Sequence, residues 1–378
     1  MSDAEKQTTF LFDQINETKA TWINDAQNKK KPEVVSPRSM TPDGKLSMVA
    51  AKDWTSGFFP GELWYLYELT GKDQWKAQAE AFTAKIENEK LNGGTHDMGF
   101  KIYCSFGNGY RLINNEAYRA VIVQSAITLA KRFNPKTGCI RSWDHSRDKW
   151  DNPVIIDNMM NLELLFEASK MTKSQSFYKI AVSHANTTMK NHFRPDFSSW
   201  HVVDYDSITG KILKKTTHQG FSNESAWARG QAWGLYGFTM CYRETGQVSF
   251  LNQAEKIADF ILHHPSLPAD KIPFWDFDAA PASPSQPRDA SAAAITASAL
   301  FELAQFLPSK KDFYLQSAGT ILNKLTDKYM SKPGENKGFL LGHSTGSFPQ
   351  NVEVDVPIIY ADYYYLEALQ RKSNLKNK

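Results

Sequence analysis

Two aspartates occupy positions where carboxylate acid/base chemistry is expected. Asp97 lies in the glycine-rich stretch GGTHDMGF, residues 93–100, whose glycines let the backbone approach a ligand closely. Asp157 directly follows the apolar run Val-Ile-Ile, residues 154–156. Burial beneath this run is expected to raise the pKa of the Asp157 carboxyl, as a general acid at neutral pH requires. The competing interpretations are a helix N-cap for Asp157 and an Asx-type turn for Asp97.

Aromatic and basic side chains elsewhere in the sequence are further candidates for substrate binding. Arg229 lies early in a predicted buried helix and therefore needs an anionic partner, either Glu224 or a substrate carboxylate. Tryptophans in loops and at the starts of inner helices are compatible with sugar stacking, although tryptophan in a helical barrel is more often core. These tryptophans are Trp54, Trp143, Trp150, Trp200, Trp227, Trp233 and Trp275. The histidines show no ligand spacing, so no metal is predicted.

A faint repeat of helical pairs would position these residues. Mostly apolar helices are predicted to begin near Ser56, Asn114, Asp157, Ser225, Asp289 and Ile358. Most are followed by a striped amphipathic helix, as at residues 72–88, 174–192, 249–263 and 310–330. Six such pairs predict an all-α protein, an (α/α)6 barrel, with the apolar helices as its inner ring. One catalytic domain is expected over residues 1–378, with frayed ends at 1–9 and 372–378.

The predicted helix ends and connecting loops agree with this architecture. Gly71 and Gly246 are predicted to end inner helices in the left-handed conformation, and Asp289 to cap the fifth. Long connections at residues 91–110, 134–156, 194–223 and 265–288 are predicted to be functional loops. The tyrosine cluster at residues 360–365 is expected to form the inner face of the last helix.

Composition excludes several classes of protein. The 378 residues contain 44 Lys and Arg against 41 Asp and Glu, without a long basic block, so neither nucleic acid nor membrane is an expected partner. The three cysteines form no CxxC, and the sequence contains no GxGxxG, Walker, HExxH or GxSxG motif; no cofactor is predicted. The chain as given is expected to be cytoplasmic, or periplasmic if a signal peptide was removed, and a monomer or weak homodimer.

Five segments together resemble the unsaturated glucuronyl hydrolases of glycoside hydrolase family 88. They are DWTSGFFPG at residues 53–61, HDMGF at 96–100, IIDNMMN at 155–161, HQG at 218–220 and WARGQAW at 227–233. The resemblance extends from roughly Trp54 to Leu369 with the motifs in the family's order. It implies an (α/α)6 barrel that removes the unsaturated uronic acid left by polysaccharide lyases on glycosaminoglycan fragments.

The resemblance also implies roles for individual residues. Asp157 matches the acid/base that protonates C4 of the C4=C5 bond and activates water for attack at C5, whereas Asp97 matches the residue that binds sugar hydroxyls and steadies the oxocarbenium charge. Positions matching stacking or pocket residues are Trp54, Trp143 and Trp233. Positions matching the uronate subsite are His96, His201, Thr217, Gln219 and Arg229, with Arg229 expected to bind the carboxylate. Ser344 and Ser347 resemble residues that touch the leaving sugar.

Some alternatives stay open at this point. Pro349 stands where members acting on sulfated chondroitin carry a lysine, so heparin-type, hyaluronan-type and unsulfated chondroitin-type fragments all remain candidates. An unsaturated rhamnogalacturonyl hydrolase acting on pectin would share the barrel and the double-bond chemistry. A non-catalytic glycan-binding toroid would retain the tryptophans without turnover, and the presence of both aspartates argues against it.

Overall fold

The computed structural model describes residues 1–279 and 286–376. Its α-helices are α1 (Ser2–Asn24), α2 (Phe58–Thr70), α3 (Asp73–Ala84), α4 (Asn108–Ile113), α5 (Glu116–Ala130), α6 (Leu162–Thr172), α7 (Gln175–Asn191), α8 (Ala228–Thr245), α9 (Val248–His263), α10 (Ala290–Leu303), α11 (Lys311–Lys324) and α12 (Ile359–Lys376). Its strands are β1 (Val34–Met40), β2 (Leu46–Ala50), β3 (Phe133–Asn134), β4 (Cys139–Ile140), β5 (Asn152–Ile155), β6 (Val202–Tyr205) and β7 (Ile212–Thr216). None of the described helices combines the length and apolarity needed to cross a membrane.

Six inner helical segments form a closed ring. A π-helix, Gly99–Gly107, continues into α4, and a 3-10 helix, Ile156–Asn161, leads into α6. Around the ring, α2 contacts the π-helix, which contacts α6; α8, α10 and α12 follow, and α12 packs against α2. Helices α3, α5, α7, α9, α11 and α1 lie outside this ring. The predicted (α/α)6 barrel is confirmed.

Small residues let the inner helices approach each other. Helix α10 is buried along its whole length and is rich in alanine and serine. As predicted, Asp289 caps it by accepting hydrogen bonds from the backbone N–H groups of Ser291 and Ala292. In α8, a Cβ on Gly237 would lie 2.5 Å from Cβ of Met159, so the ring can close there only around glycine.

The second helical pair differs from the prediction. The helix expected to begin near Asn114 is α5, a half-exposed outer helix. Its inner partner is the segment at residues 99–113, most of which was predicted to be loop. This segment contains Gly99, Gly107 and Gly109, and glycine costs about 1 kcal/mol relative to alanine in a helix interior. Burial between neighbouring helices stabilises a π-helical conformation that local propensity opposes.

The chain ends also differ from the prediction where the structure describes them. Residues 2–9 form the first turns of α1 instead of a frayed end. The Gln7 side chain donates to the backbone oxygens of Glu335 and Phe339, and Thr8 donates to Glu62, so distant segments hold this helix in place. At the other end, residues 372–376 continue α12, while 377 and 378 lie outside the described residues. Part of the expected loop at residues 265–288, namely 280–285, also lies outside them.

Short antiparallel strands occur within two of the predicted functional loops. Strands β5, β6 and β7 form one sheet, in which Ile155 pairs with Val202. Because β5 ends at Ile155, this register fixes the position of Asp157 two residues later. Strands β1 and β2 form a hairpin that places Arg38 beside the loop before α12. The two sheets therefore position residues of one site.

Two buried carboxyl groups predict how stability depends on pH. Glu62 on α2 accepts a hydrogen bond from Thr8, and Asp362 on α12 accepts two from the backbone N–H groups of Leu340 and Leu341. Burial raises the pKa of both carboxyls, and the charge of Asp362 raises that of Glu62 further. A carboxyl whose pKa is raised on folding loses its proton when the chain unfolds, so stability falls as pH rises above the unfolded pKa.

We therefore expect Glu62→Gln to stabilise the protein at pH 8. The amide keeps the acceptor for Thr8 and removes the ionisable group, and each kcal/mol gained corresponds to about 2 °C in Tm for a chain of this size. Melting curves at pH 5 and pH 8 should show a gain of about 2 °C or more at pH 8 and a smaller one at pH 5. Glu17→Gln, the same change on the exposed face of α1, is the control. A Tm difference independent of pH would contradict the prediction.

Candidate active site

A cavity of about 430 Å³ opens at the end of the barrel where the inner helices begin. It is lined by the loops that precede the inner helices and by the first residues of α8 and α12. Residues predicted for the site that line it are Trp54, His96, Asp97, Trp143, Asp157, Gln219, Arg229 and Ser347. The tertiary structure thus brings together residues that are up to 293 positions apart in the sequence, from Trp54 to Ser347.

Asp157 lies in the 3-10 helix between β5 and α6 and is 8% exposed. Its side chain caps no helix, and Oδ2 has no hydrogen-bond donor among the described residues. The N-cap interpretation is therefore wrong. Burial raises the pKa of Asp157 to about 7 against the lowering effect of the Arg229 charge, and the charge of Asp97 adds to the rise. The carboxyl is partly protonated at neutral pH and can act as an acid or as a base.

His201 lies directly against this carboxyl, with Nε2 3.6 Å from Oδ2 of Asp157. Its Nδ1 accepts hydrogen bonds from the backbone N–H groups of His218 and Gln219, at 3.2 and 3.1 Å. Burial lowers the pKa of His201 well below its usual value, so the ring is neutral. Because Nδ1 is an acceptor, the single ring proton is on Nε2, the nitrogen that lies 3.6 Å from Oδ2 of Asp157 without a hydrogen bond between them.

Asp97 faces the same cavity from the turn before the π-helix. The Thr95 hydroxyl donates to Oδ2 at 2.6 Å, and Nε2 of His96 lies 3.1 Å from Oδ1. The turn itself is closed by the Thr95 hydroxyl, which accepts the backbone N–H of Asp97 at 3.1 Å. The prediction that the Asp97 side chain closes an Asx-type turn is therefore wrong, because the Thr95 side chain closes it. The Asp97 carboxylate lines the cavity instead.

One buried asparagine joins the two aspartate-bearing turns. Oδ1 of Asn161, in the 3-10 helix that carries Asp157, accepts the backbone N–H groups of Gly99 and Phe100 at 2.8 and 3.2 Å. A Cβ on Gly99 would lie 2.6 Å from Cα of Asn161, so this contact requires glycine. The separation of the two carboxylates is thereby fixed by direct contact between their supporting turns.

Arg229 is fully buried, and its charge is balanced within the protein. Its guanidinium donates to Asp289 at 2.8 Å and to the backbone oxygens of Thr345 and Gly346, both at 2.5 Å. Glu224, the partner suggested by the sequence, instead pairs with Arg194 at 3.4 Å, so that interpretation is wrong. The three bonds hold the loop before α12 against α8 and place a cation within electrostatic range of Asp157.

Tryptophans form the apolar walls of the cavity. Trp54 packs against Phe58, Phe100 and Tyr360, which fix the orientation of its indole ring. Trp143 packs edge-on against Trp150 with centroids 5.6 Å apart. Both rings line the cavity and offer faces on which a sugar can stack.

Four predicted site residues do not line the cavity. Trp233 is wholly buried between Phe100 and Tyr364, so its predicted stacking role is wrong. Ser344 is also fully buried and pairs through its backbone with Val356, so it cannot touch a sugar as the resemblance implied. The Thr217 hydroxyl accepts the backbone N–H of Gly220 and shapes the loop that carries Gln219. His201 lies behind the cavity wall, against Asp157.

Sequence reasoning missed several lining residues. Arg38 forms a two-bond ion pair with Glu353, with N···O distances of 2.6 and 2.9 Å, and also contacts Asp53. Asp53 belongs to a recognised motif, but nothing in the sequence links it to Arg38. Tyr360, expected only as the inner face of α12, lines the cavity as well; the other missed residues are Ser142, His145, Ser146, Lys149 and Val352. In the part of the chain that the structure describes, no group of three His, Cys, Asp or Glu side chains could hold a metal ion.

Comparison with known proteins identifies the family. The model of Glycosyl Hydrolase Family 88 matches residues 20–336. The chain belongs to glycosyl hydrolase family 88. It is 52% identical to an unsaturated glucuronyl hydrolase of Formosa agariphila over 342 residues, 90% of this chain and 85% of the relative. It is 33% identical to an unsaturated chondroitin disaccharide hydrolase of Streptococcus pneumoniae, over 89% of this chain and 85% of the relative.

Solved structures of family 88 enzymes share the barrel. A crystal structure of an unsaturated glucuronyl hydrolase specific for heparin superposes with a TM-score of 0.90 at 46% identity, covering 99% of this chain and 98% of that one. The unsaturated glucuronyl hydrolase of Bacillus sp. GL1 gives a TM-score of 0.85 at 32% identity, with 89% and 90% covered. A mutant of the unsaturated glucuronyl hydrolase from Streptococcus agalactiae has been solved in complex with dGlcA-GalNAc6S, at a TM-score of 0.78 and 28% identity, with 98% and 90% covered. This chain is accordingly a glycoside hydrolase.

Proposed function

We propose that this enzyme removes the terminal 4,5-unsaturated glucuronic acid from lyase-generated glycosaminoglycan oligosaccharides by hydrating the C4=C5 enol ether. The observation that carries the proposal is the pair Asp157 and Asp97 facing one cavity, with burial raising the pKa of Asp157 to about 7. The names of the relatives support the substrate class, because they act on unsaturated glucuronyl, chondroitin and heparin compounds.

The reaction requires one group that serves as acid and then as base. The Asp157 carboxyl gives its proton to C4, and positive charge develops across C5 and the ring oxygen. The Asp157 carboxylate then takes a proton from water while the water oxygen bonds to C5, which forms a hemiketal. The hemiketal opens when the bond from C5 to the ring oxygen breaks, and the proton of the C5 hydroxyl passes to that oxygen, which leaves a ketone at C5 and a hemiacetal at C1. The hemiacetal then collapses to an aldehyde at C1, the bond from C1 to the glycosidic oxygen breaks, and the neighbouring sugar leaves with the proton of the C1 hydroxyl.

Other residues stabilise this sequence by charge and position. The Asp97 carboxylate, held by Thr95 and facing the cavity, binds sugar hydroxyls and stabilises the oxocarbenium charge. Nε2 of His201 lies 3.6 Å from the Asp157 carboxyl, where its N–H dipole is proposed to stabilise the ionised form once the proton has been given to C4. Arg229 supplies positive potential for the substrate carboxylate while its own bonds hold the loop before α12.

The remaining assignments follow from the walls of the cavity. Trp54 and Trp143 are proposed to stack on the two sugars; His96, Gln219 and Ser347 are proposed to contact their polar groups. One hydrophobic cluster contains buried residues from Ala4 to Ala368, which supports a single catalytic domain. The sugar substrate is the partner that this site requires.

Ultraviolet absorbance provides the test of this function. The conjugated double bond of a lyase product absorbs, and hydration destroys it. We expect absorbance to fall when the enzyme is mixed with unsaturated disaccharides from heparin, hyaluronan or chondroitin. Loss of signal only on an unsaturated pectin fragment would replace the proposal with a rhamnogalacturonyl activity, and tight binding without loss would indicate a glycan-binding protein.

A further inference from the structure

The three Lys and Arg side chains known to line the cavity differ in how their charge is balanced. Arg38 is paired with Glu353, and Arg229 is paired with Asp289. Lys149 lines the same cavity, yet no carboxylate in the described part of the chain lies within 4.0 Å of its ammonium group. A cation that the protein leaves uncompensated in a binding cavity attracts an anionic group of the ligand.

The surroundings of Lys149 add positive charge. Its ammonium lies 4.9 Å from the ring centroid of Trp150, and the ammonium of Lys214 lies 4.2 Å from the same ring. Lys214 also donates a hydrogen bond of 2.6 Å to the backbone oxygen of Lys149. The nearby carboxylate of Asp144 is occupied by three arginines of the 132–147 segment. Two ammonium groups around one indole ring raise the local positive potential.

Two histidines lie beside Lys149 and line the cavity with it. The ring of His145 stacks on Trp143 with centroids 5.5 Å apart and planes 9° apart, and the ring of His218 lies 6.1 Å from the same indole. Burial lowers the pKa of His218, and the charges of Lys149 and His145 lower it further. Neutral imidazole still offers an N–H donor to an oxyanion.

The cluster shares a rigid support with the proposed acid. Trp143 packs against a hydrophobic cluster of Trp150, Ile155 and Val202. Ile155 is the last residue of β5, two positions before Asp157. The cavity that contains Asp157 is also lined by Lys149, His145 and His218, so one disaccharide bound there has both groups available to it.

We propose that Lys149, flanked by His145 and His218, binds a sulfate group on the sugar that leaves, and so makes the enzyme prefer sulfated substrates. This inference rests on the proposed function and adds a determinant of its specificity. A sulfate remains fully charged across the working pH range, and lysine binds such groups as a point charge with charge-assisted hydrogen bonds.

The test compares kcat/KM for matched unsaturated heparin-type disaccharides that carry no sulfate, an N-sulfate or a 6-O-sulfate. Wild type is expected to prefer at least one sulfated form. We expect Lys149→Gln to lower kcat/KM for that form by about tenfold, equivalent to about 1.4 kcal/mol, and to leave the unsulfated disaccharide within about twofold. Lys149→Arg should retain most of the preference, and added salt should reduce the preference of wild type more than that of Lys149→Gln.

Lys211→Gln is the matched control, because Lys211 is exposed immediately before β7 and does not line the cavity. It should change neither substrate's kcat/KM. Equal losses on sulfated and unsulfated disaccharides in Lys149→Gln, an unchanged sulfate preference, or a wild type that prefers the unsulfated form would each overturn the proposed subsite. Absence of turnover by wild type on every disaccharide would instead reject the proposed function itself.

Discussion

Asp157→Asn is expected to lower kcat by at least about 1000-fold while leaving substrate binding within a few-fold of wild type. The amide has the shape of the carboxyl but can neither give a proton to C4 nor take one from water. Steady-state turnover by absorbance loss measures kcat, and equilibrium binding of an unsaturated disaccharide to the inactive variant measures affinity. Retention of full turnover would exclude Asp157 as the acid/base.

The fold of the Asp157→Asn variant should be intact. Burial raises the pKa of Asp157, which means that the ionised group destabilises the folded state, so the variant should melt at the wild-type temperature or above it at pH 8. Asp148→Asn is a suitable control, because it makes the same chemical change at an exposed position near the cavity mouth. It should leave both kcat and Tm unchanged.

The pH dependence of kcat/KM is expected to have an alkaline limb with a midpoint near pH 7. The first step requires the protonated form of Asp157, whose pKa is about 7. Above this pH the protonated fraction falls about tenfold for each pH unit, so about one hundredth of the maximum should remain at pH 9. Burial lowers the pKa values of His96, His201 and His218, so these histidines do not titrate in that range.

The Asp97→Asn variant tests the origin of this limb. The negative charge of Asp97 contributes to the raised pKa of Asp157, and its removal should move the midpoint to lower pH. The variant should also lose turnover, because the developing positive charge on the sugar loses its stabilising carboxylate. The midpoint of the pH profile can be measured on the remaining activity, so it does not depend on how much turnover is lost. A midpoint that stays in place, or moves to higher pH, would show that Asp97 does not influence the titrating group.

Local patterns in the sequence were sufficient for most of the fold. Alternation of apolar and striped helices predicted the (α/α)6 barrel, and Gly71 and Gly246 end their helices with φ of 69° and 67° as expected. Helix periodicity and left-handed glycine caps depend on residues within a few positions of one another, so a single sequence reveals them. Residues 99–113 were predicted to be mostly loop because local patterns reflect only the weak helix propensity of their three glycines. Burial in the tertiary structure overrides that propensity.

The two aspartates could be recognised from their motifs, but their chemistry depends on contacts between distant parts of the chain. The pKa of Asp157 reflects burial together with the charges of Arg229 and Asp97, which lie 72 and 60 positions away. The partner of Arg229 proved to be Asp289 instead of the neighbouring Glu224. Ion pairs depend on the distance between side chains in space, and the separation of two residues in the sequence does not indicate that distance.

The sequence by itself therefore determined the barrel class and most of its helical pairs, and it pointed to the two carboxyl groups that the proposed function uses. Only the tertiary structure decided that burial raises the pKa of Asp157 to about 7, that Nε2 of His201 lies 3.6 Å from this carboxyl, and that Trp233 belongs to the core. It also decided that Lys149 faces the cavity without a carboxylate partner among the described residues. Desolvation and Coulomb interactions act through space, so they take definite values only when the barrel has closed.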